Sequence, residues 1–194
     1  MDIGYSSGTH LRYLNAILKD DKRFSGIDSM SVNLDKVAVE KIKAKGLNAI
    51  HCKAEELHKH NISAGLLMSF EMVEHLYSPI DFLDSISKES ECEYLVITVP
   101  YLQQSRVGLH HIRLQQKRIV YPENTHIFEL SPPDWKLIFQ HSGWQVLDEI
   151  TYYQYPRRSF WRIMQPVWKW LDFEGFYGVV LKKGRGWADC YHTE

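Results

Sequence analysis

Short apolar stretches alternate with longer stretches in which apolar residues recur at helical spacing through the first hundred residues. The short stretches predict strands over residues 1–4, 24–28, 48–52, 64–70 and 94–100. The longer stretches predict helices over residues 10–18, 32–45 and 79–88, with a helical turn over 54–58. This alternation favours an α/β fold, a Rossmann-like, doubly wound and mostly parallel sheet with helices on both faces.

The second half of the chain adds one helix and two strands. The helix is predicted over 132–142, and the strands over 144–153 and 176–182. They bring the predicted sheet to seven strands within a single domain over 1–194. Two further segments are interpreted as insertions, 101–124 and the aromatic, partly helical 154–175.

Composition narrows the class of protein. With 44% hydrophobic residues, 24% charged residues and a net charge of −1, the chain is neither disordered throughout nor generally polybasic like many nucleic-acid binders. Residues 1–100 carry 11 Lys or Arg against 15 Asp or Glu, and 7 of the 25 aromatic residues. Residues 101–194 carry 12 against 9, and the other 18 aromatics. This contrast indicates either a scaffold followed by a substrate or partner surface, or two faces of one core.

The cysteine and histidine patterns indicate neither a disulfide framework nor a metal centre. Cys52, Cys92 and Cys190 show no CxxC spacing, which is typical of reduced thiols in a cytosolic protein. The ten histidines include no i, i+4 pair of the kind that binds zinc on one helix. We therefore predict no metal ligands. No signal peptide or membrane span is evident, and we predict a cytoplasmic location.

The first predicted turn and the end of the second predicted strand carry the features of a ligand site. Residues 2–8 read Asp-Ile-Gly-Tyr-Ser-Ser-Gly, and Gly4 and Gly8 permit positive φ and close backbone approach. Asp28 ends the second predicted strand, where doubly wound sheets place a ribose-binding acid. Such sheets bind ligands beyond the carboxyl ends of their strands, so we expect a ligand between this turn and this acid.

Six ordered segments resemble the class I S-adenosylmethionine-dependent methyltransferases. They lie at 2–8, 26–28, 53–57, 69–76 and 95–100, with the sixth in two parts at 124–131 and 142–144. The first resembles the family's glycine motif, the second (Gly-Ile-Asp) its ribose-binding motif, and the third the segment that flanks adenine. The fourth, Ser-Phe-Glu-Met-Val-Glu-His-Leu, is similar to a signature of the subgroup that includes ubiquinone-biosynthesis methyltransferases. The resemblance implies a cofactor half over 1–100 and a substrate-side half over 101–194.

What the resemblance implies is methyl transfer from S-adenosylmethionine, with S-adenosylhomocysteine as product, to a small-molecule or metabolite acceptor. It implies that the cofactor contacts come from Asp2, Gly4, Tyr5, Ser6, Gly8, Asp28, Ser29, Ala54, Glu55, Ser69, Phe70, Glu71 and His75. The candidate catalytic residues are His126 and His75, because an unperturbed imidazole titrates near neutral pH.

Three departures from the family pattern are visible. Ser6 replaces the middle glycine of the first motif, and Lys53 stands where the family often has an acid, with Glu55 as the alternative acceptor for adenine. The chain also begins inside its first predicted strand, so we expect the usual N-terminal helix to be missing. The alternative function is a non-catalytic scaffold or partner subunit with a methyltransferase fold. A nicotinamide-dependent oxidoreductase is disfavoured because its motif requires glycine at Ser6 and Thr9.

The two insertions leave several interpretations open. Segment 101–124 is rich in Arg, Lys and His, which fits either a lid over an anionic substrate or a solvated loop. Residues 152–178 hold 10 aromatics in 27 positions. That density fits a helix packed on the core, a substrate lid, a homodimer contact or a peripheral membrane contact, and nucleic acid is the partner least favoured.

Overall fold

The computed structural model of the protein describes residues 1–4, 6–19, 26–60, 64–107, 126, 128–153, 163–164, 166–167 and 175–190. Within them the strands are β1 (Asp2–Ile3), β2 (Met30–Asn33), β3 (Asn48–His51), β4 (Leu66–Phe70), β5 (Tyr94–Pro100), β6 (Arg106–Val107), β7 (Phe128–Glu129), β8 (Trp144–Tyr153) and β9 (Gly175–Lys183). The α-helices are α1 (Thr9–Lys19), α2 (Lys36–Ala44), α3 (Pro79–Glu89) and α4 (Pro132–His141). The 3₁₀ helices are Ala54–His60, Val73–His75 and Trp187–Cys190.

Seven of these strands form one sheet in the order β3-β2-β1-β4-β5-β9-β8. The first five are parallel to one another, whereas β9 runs antiparallel to both β5 and β8. The predicted mostly parallel, seven-stranded α/β sheet is therefore confirmed. The order reverses direction between β1 and β4, and ligands of open α/β sheets bind at such a reversal.

Helices cover both faces of this sheet. Because strand crossovers are right-handed, α2 and α3 lie on opposite faces, since the strands that they connect progress in opposite directions from β1. The buried side chains agree with this division. Val39, Ile42 and Ala49 form one cluster beneath α2. A larger cluster joins the central strands to α3 and α4 and includes Phe82, Leu83, Trp135, Phe139 and Trp144.

The second strand differs from its prediction. A strand over 24–28 followed by a helix from Val32 is wrong, because β2 begins at Met30 and α2 at Lys36. Two interactions account for the shift. The side chain of Asp35 accepts a hydrogen bond from the N–H of Val37 and caps α2, and Ser31 pairs with Asp2 of β1. Asp28 consequently precedes the strand and is exposed.

The insertions are described only in part. The sequence predicted no regular structure over 101–124, yet β6 in this segment pairs antiparallel with β7 and forms a small second sheet. Residues 108–125, 154–162 and 168–174 lie outside the described residues, so the lid, dimer and membrane interpretations of both segments stay predictions. Among the helices that the structure describes, none is long and apolar enough to span a membrane.

Candidate functional site

The turn after β1 is held by hydrogen bonds to the end of β2. The N–H of Gly4, whose φ of 147° few other residues adopt, donates to the carbonyl of Val32 at 3.1 Å. The side-chain Nδ2 of Asn33 donates to the carbonyl of Ser6 at 3.2 Å. The Ser6 hydroxyl accepts from the N–H of Gly8 at 3.1 Å. The hydroxyl of Ser6, which replaces the middle glycine of the family motif, therefore makes a hydrogen bond within the turn.

A cavity opens at the carboxyl ends of β1 to β4, beside this turn. Its walls come from four segments of the chain, in the order Ile3, Gly4, Val32, Asn33, Leu34, Cys52, Lys53, Ala54, Glu55, Met72, His75 and Leu76. Most of the lining side chains are apolar, while Asn33, Lys53, Glu55 and His75 are polar. A cavity with apolar walls and a few convergent polar groups is typical of a small-molecule site.

Asp2 lies at the base of the first turn and is almost fully buried. Its Oδ1 lies 3.4 Å from Nδ1 of His10, and this hydrogen bond is the main reason that the pKa of His10 is raised. Its Oδ2 is buried and has no hydrogen-bond partner in the described part of the chain. A buried oxygen in this state is costly and suits a donor supplied by a ligand.

The structure brings together some of the predicted site residues and separates others. Four of the residues predicted as cofactor contacts line the cavity, namely Gly4, Ala54, Glu55 and His75. Lys53, which departs from the family pattern, lines it too. Asp2, Ser6 and Gly8 shape the adjoining turn, while Ser69, Phe70 and Glu71 stand at the end of β4. Asp28 and Ser29 do not line the cavity, and Tyr5 lies outside the described residues.

Several lining residues were missed by sequence reasoning. Asn33 and Leu34 were predicted to be helical because the second strand was misplaced, whereas Asn33 ends β2 and Leu34 follows it. The polar Asn33 at the end of the run Met-Ser-Val-Asn was the available signal, because this run has the alternation of a half-buried strand. Cys52 and Met72 carried no signal of their own.

The backbone is strained where β4 ends. Glu71 has a φ of 51°, a left-handed conformation that a non-glycine residue keeps only when its surroundings hold it. Its N–H donates to the carbonyl of Thr98 at 2.9 Å, which ties the strained residue to β5. Partial burial raises the pKa of the Glu71 carboxyl, an effect that His10 and His75 oppose.

A cluster of titratable side chains follows Glu71 in the chain. Glu74 follows in the Val73–His75 3₁₀ helix, and its side chain is fully buried. Burial, with a smaller contribution from the nearby Glu71, raises the pKa of Glu74 to about 8. The imidazoles of His75 and His126 meet edge to face with their centroids 4.6 Å apart. The two predicted catalytic histidines are therefore neighbours.

His126 is held in turn by residues of the small sheet. Its Nδ1 lies 3.5 Å from Oε1 of Glu129 on β7. The other carboxylate oxygen of Glu129 accepts a hydrogen bond from Nε of Arg106 on β6 at 2.5 Å. The β6–β7 pair, which the sequence did not predict, therefore carries Glu129, with one carboxylate oxygen paired with Arg106 and the other close to His126.

Comparisons with known proteins agree at the level of the fold. No protein-family model and no curated protein sequence matches the chain. An S-adenosylmethionine-dependent methyltransferase from Mesorhizobium loti superimposes with a TM-score of 0.64 at 10% identity, over 94% of this chain and 89% of that one. One from Archaeoglobus fulgidus gives a TM-score of 0.58 at 19% identity, over 94% of this chain and 84% of that one. The chain has a methyltransferase fold.

A third similar structure was solved with its ligands. The Burkholderia thailandensis 1,6-didemethyltoxoflavin-N1-methyltransferase, with bound 1,6-didemethyltoxoflavin and S-adenosylhomocysteine, gives a TM-score of 0.62 at 12% identity. The match covers 95% of this chain and 70% of that one. At such identities the similarity establishes the fold and leaves the ligand to be argued from the residues of the site.

Proposed function

We propose that this protein transfers a methyl group from S-adenosylmethionine to a small-molecule acceptor. The observation that carries the proposal is the cavity between the Gly4 turn, the end of β2 and the Lys53–Glu55 segment. The buried Asp2 lies in β1 directly before this turn, and its Oδ2 has no hydrogen-bond partner among the described residues. This arrangement lies at the reversal of strand order, where ligands bind in open α/β sheets.

The residues present suit the chemical parts of this cofactor. The unpartnered Oδ2 of Asp2 can accept a hydrogen bond from the cofactor's ammonium group. Gly4 lets the backbone approach the methionine portion, and Asn33 at the end of β2 offers a polar side chain to the ribose. The apolar Leu34 and Ala54 flank the cavity where a flat purine would lie. When bound, the cofactor supplies an electrophilic methyl group on a sulfonium.

The chain's own contribution to the reaction is positioning. Methyl transfer is an in-line displacement, so its rate depends chiefly on alignment and on the exclusion of water. His75 lines the cavity and contacts His126, and we assign both to the acceptor side as positioning residues. The acceptor is proposed to be a small molecule, like the 1,6-didemethyltoxoflavin bound to the similar Burkholderia thailandensis enzyme.

Calorimetry with S-adenosylhomocysteine tests the binding part of the proposal. The wild-type protein should bind one equivalent, and Asp2→Asn should weaken binding at least about tenfold because it alters the buried acceptor oxygen. Asp84→Asn is the matched control, because Asp84 is a partly exposed residue of α3 that pairs with Lys88. Absence of heat with both S-adenosylmethionine and S-adenosylhomocysteine would refute the proposal.

Labelled cofactor tests the transfer. Protein incubated with methyl-labelled S-adenosylmethionine and a small-molecule extract should move the label into an extract component, and heat-inactivated protein should not. Binding of the cofactor without transfer to any fraction would instead support the non-catalytic scaffold or partner subunit.

A further inference from the structure

We propose that Glu74, His75 and His126 bind one divalent transition-metal ion. Each offers one ligand atom, and the three atoms lie within 4.8 Å of one another. Oε1 of Glu74 is 4.0 Å from Nε2 of His75, and the two imidazoles touch. Two ligands of one tetrahedral zinc ion stand roughly 3.4 Å apart, so side-chain movements of about 1 Å would complete the site.

The state of Glu74 is the second, independent observation. Its side chain is fully buried, and neither carboxylate oxygen has a hydrogen-bond partner on any other described residue. A buried carboxyl group without partners destabilises a fold, whether it is ionised or neutral. A cation between Glu74 and the two histidines would supply the missing partner.

The donor atoms indicate the class of metal. Two imidazole nitrogens and one carboxylate oxygen suit zinc, iron(II) or manganese(II), whereas magnesium and calcium prefer sites built from oxygen alone. Three protein ligands also leave room for a further ligand, which is the pattern of catalytic rather than structural zinc sites.

Residues outside the cluster hold its ligands in the way that metal sites require. Metal-bound histidines usually direct the second ring nitrogen at a carboxylate, which fixes the ring and its tautomer. His126 does so, since its Nδ1 lies 3.5 Å from Glu129. Glu129 is itself held by Arg106.

The sequence predicted no metal site because no two of its histidines are four residues apart, as they would be on one face of a helix. In the tertiary structure the ligands come from two separate segments. The Val73–His75 3₁₀ helix follows β4, and its His75 contacts His126, which precedes β7 in the chain. Glu71, with its φ of 51°, lies in the short connection between β4 and this 3₁₀ helix.

The site adjoins the cofactor cavity, which His75 also lines. Only the role of the ion rests on the proposed function: if the protein is a methyltransferase, the ion would bind an oxygen atom of the acceptor and hold the acceptor in place. The substrate class would then be hydroxylated small molecules. Metal binding itself does not depend on that function.

Cobalt(II) is a suitable probe, because its visible absorption reports coordination by nitrogen and oxygen. The protein is freed of metal with a chelator, and cobalt is titrated in the absence of S-adenosylhomocysteine. We expect saturation at one ion per chain, followed by displacement with one equivalent of zinc. Millimolar magnesium should not displace the cobalt.

Variants assign the ion to these residues. Glu74→Gln keeps the size of the side chain, and we expect it to weaken cobalt binding at least tenfold, as should His126→Asn. Glu56→Gln and His60→Gln are the matched controls, because neither residue belongs to the cluster: Glu56 is partly exposed and pairs with Lys59, and His60 is exposed at the end of the same Ala54–His60 helix. Circular dichroism and thermal unfolding establish that each variant is folded, and two ligand variants keep the test valid if one is not.

Three results would overturn the proposal: no saturable binding by the wild-type protein, equal affinity in ligand and control variants, or ready displacement by magnesium. The outcome is separable from that of the proposed function. A protein that binds S-adenosylhomocysteine but no cobalt refutes the metal site alone, and one that binds cobalt but no cofactor refutes the methyltransferase proposal alone.

Discussion

Replacing Asn33 by alanine tests how the end of β2 builds the cofactor cavity. Asn33 is 1% exposed, and its side chain makes two hydrogen bonds. Nδ2 donates to the carbonyl of Ser6 at 3.2 Å, and Oδ1 accepts from the N–H of Asp35 at 2.8 Å. Each such bond contributes about 1 kcal/mol net, so Asn33→Ala should lower the free energy of unfolding by about 2 kcal/mol.

Cofactor binding should fall with stability, because the same side chain joins the glycine turn to the cavity wall. We expect Asn33→Ala to weaken S-adenosylhomocysteine binding by at least about tenfold. Urea denaturation measures the first effect and calorimetry the second. Asn33→Asp separates the two hydrogen bonds, because it keeps the acceptor for the N–H of Asp35 and removes the donor to Ser6.

Asp28→Ala is the comparison that decides between two positions for the second strand. The family motif assigns ribose binding to Asp28, whereas the structure leaves it exposed ahead of β2. We expect Asp28→Ala to change the free energy of unfolding by less than about 0.5 kcal/mol and to leave the affinity for S-adenosylhomocysteine unchanged. If Asp28→Ala abolished binding while Asn33→Ala retained it, the reasoning from β2 would be refuted and the motif-based position restored.

Three further predictions concern stability. A Cβ at Gly8 would lie 3.1 Å from a leucine methyl group, so Gly8→Ala should cost about 1–3 kcal/mol more than Gly46→Ala, since both residues have positive φ but Gly46 has open space around it. Trp144→Phe should cost about 1 kcal/mol more than Trp135→Phe, because the Trp144 indole donates to a backbone carbonyl and that of Trp135 has no partner among the described residues. The neighbouring Asp2 carboxylate raises the pKa of His10 in the folded state. The stability that protonated His10 contributes is therefore fully present below pH 6.5 and is lost as the pH rises through the folded-state pKa. We expect His10→Gln to reduce this loss of stability above pH 6.5.

Urea denaturation at fixed pH measures the first two differences, and a series between pH 5 and pH 9 measures the third. Equal costs for the two glycine variants would mean that α2 can move away from the first turn. Equal costs for the two tryptophan variants would mean that the bond between β8 and α3 contributes nothing net. An unchanged pH profile for His10→Gln would contradict the role given to its contact with Asp2.

The accuracy of sequence reasoning varied with the kind of signal. The predicted strand over 94–100 has the same bounds as β5 (Tyr94–Pro100), because a continuous apolar run between polar turns is typical of a strand inside a parallel sheet. The glycine turn was also located correctly, since Gly4 and Gly8 both adopt positive φ. β2 was misplaced because residues 24–28 and 30–33 are both short and weakly apolar, and the pairing with β1 and β3 selects between them.

The candidate site divides along the same line. From the sequence, the resemblance to methyltransferases placed Gly4, Ala54, Glu55 and His75 near a cofactor, and all four line the cavity. It named His75 and His126 separately, without any means of relating them.

What the sequence determined by itself is therefore the α/β sheet and the glycine turn, because periodicity and glycine conformation are local properties of the chain. Only the tertiary structure decided which residues end β2, that Glu74 loses all contact with solvent, and that His75 meets His126. These depend on strand pairing and on contacts between residues distant in the chain. Burial of a carboxylate is a property of everything packed around it, and no local pattern of residues encodes it.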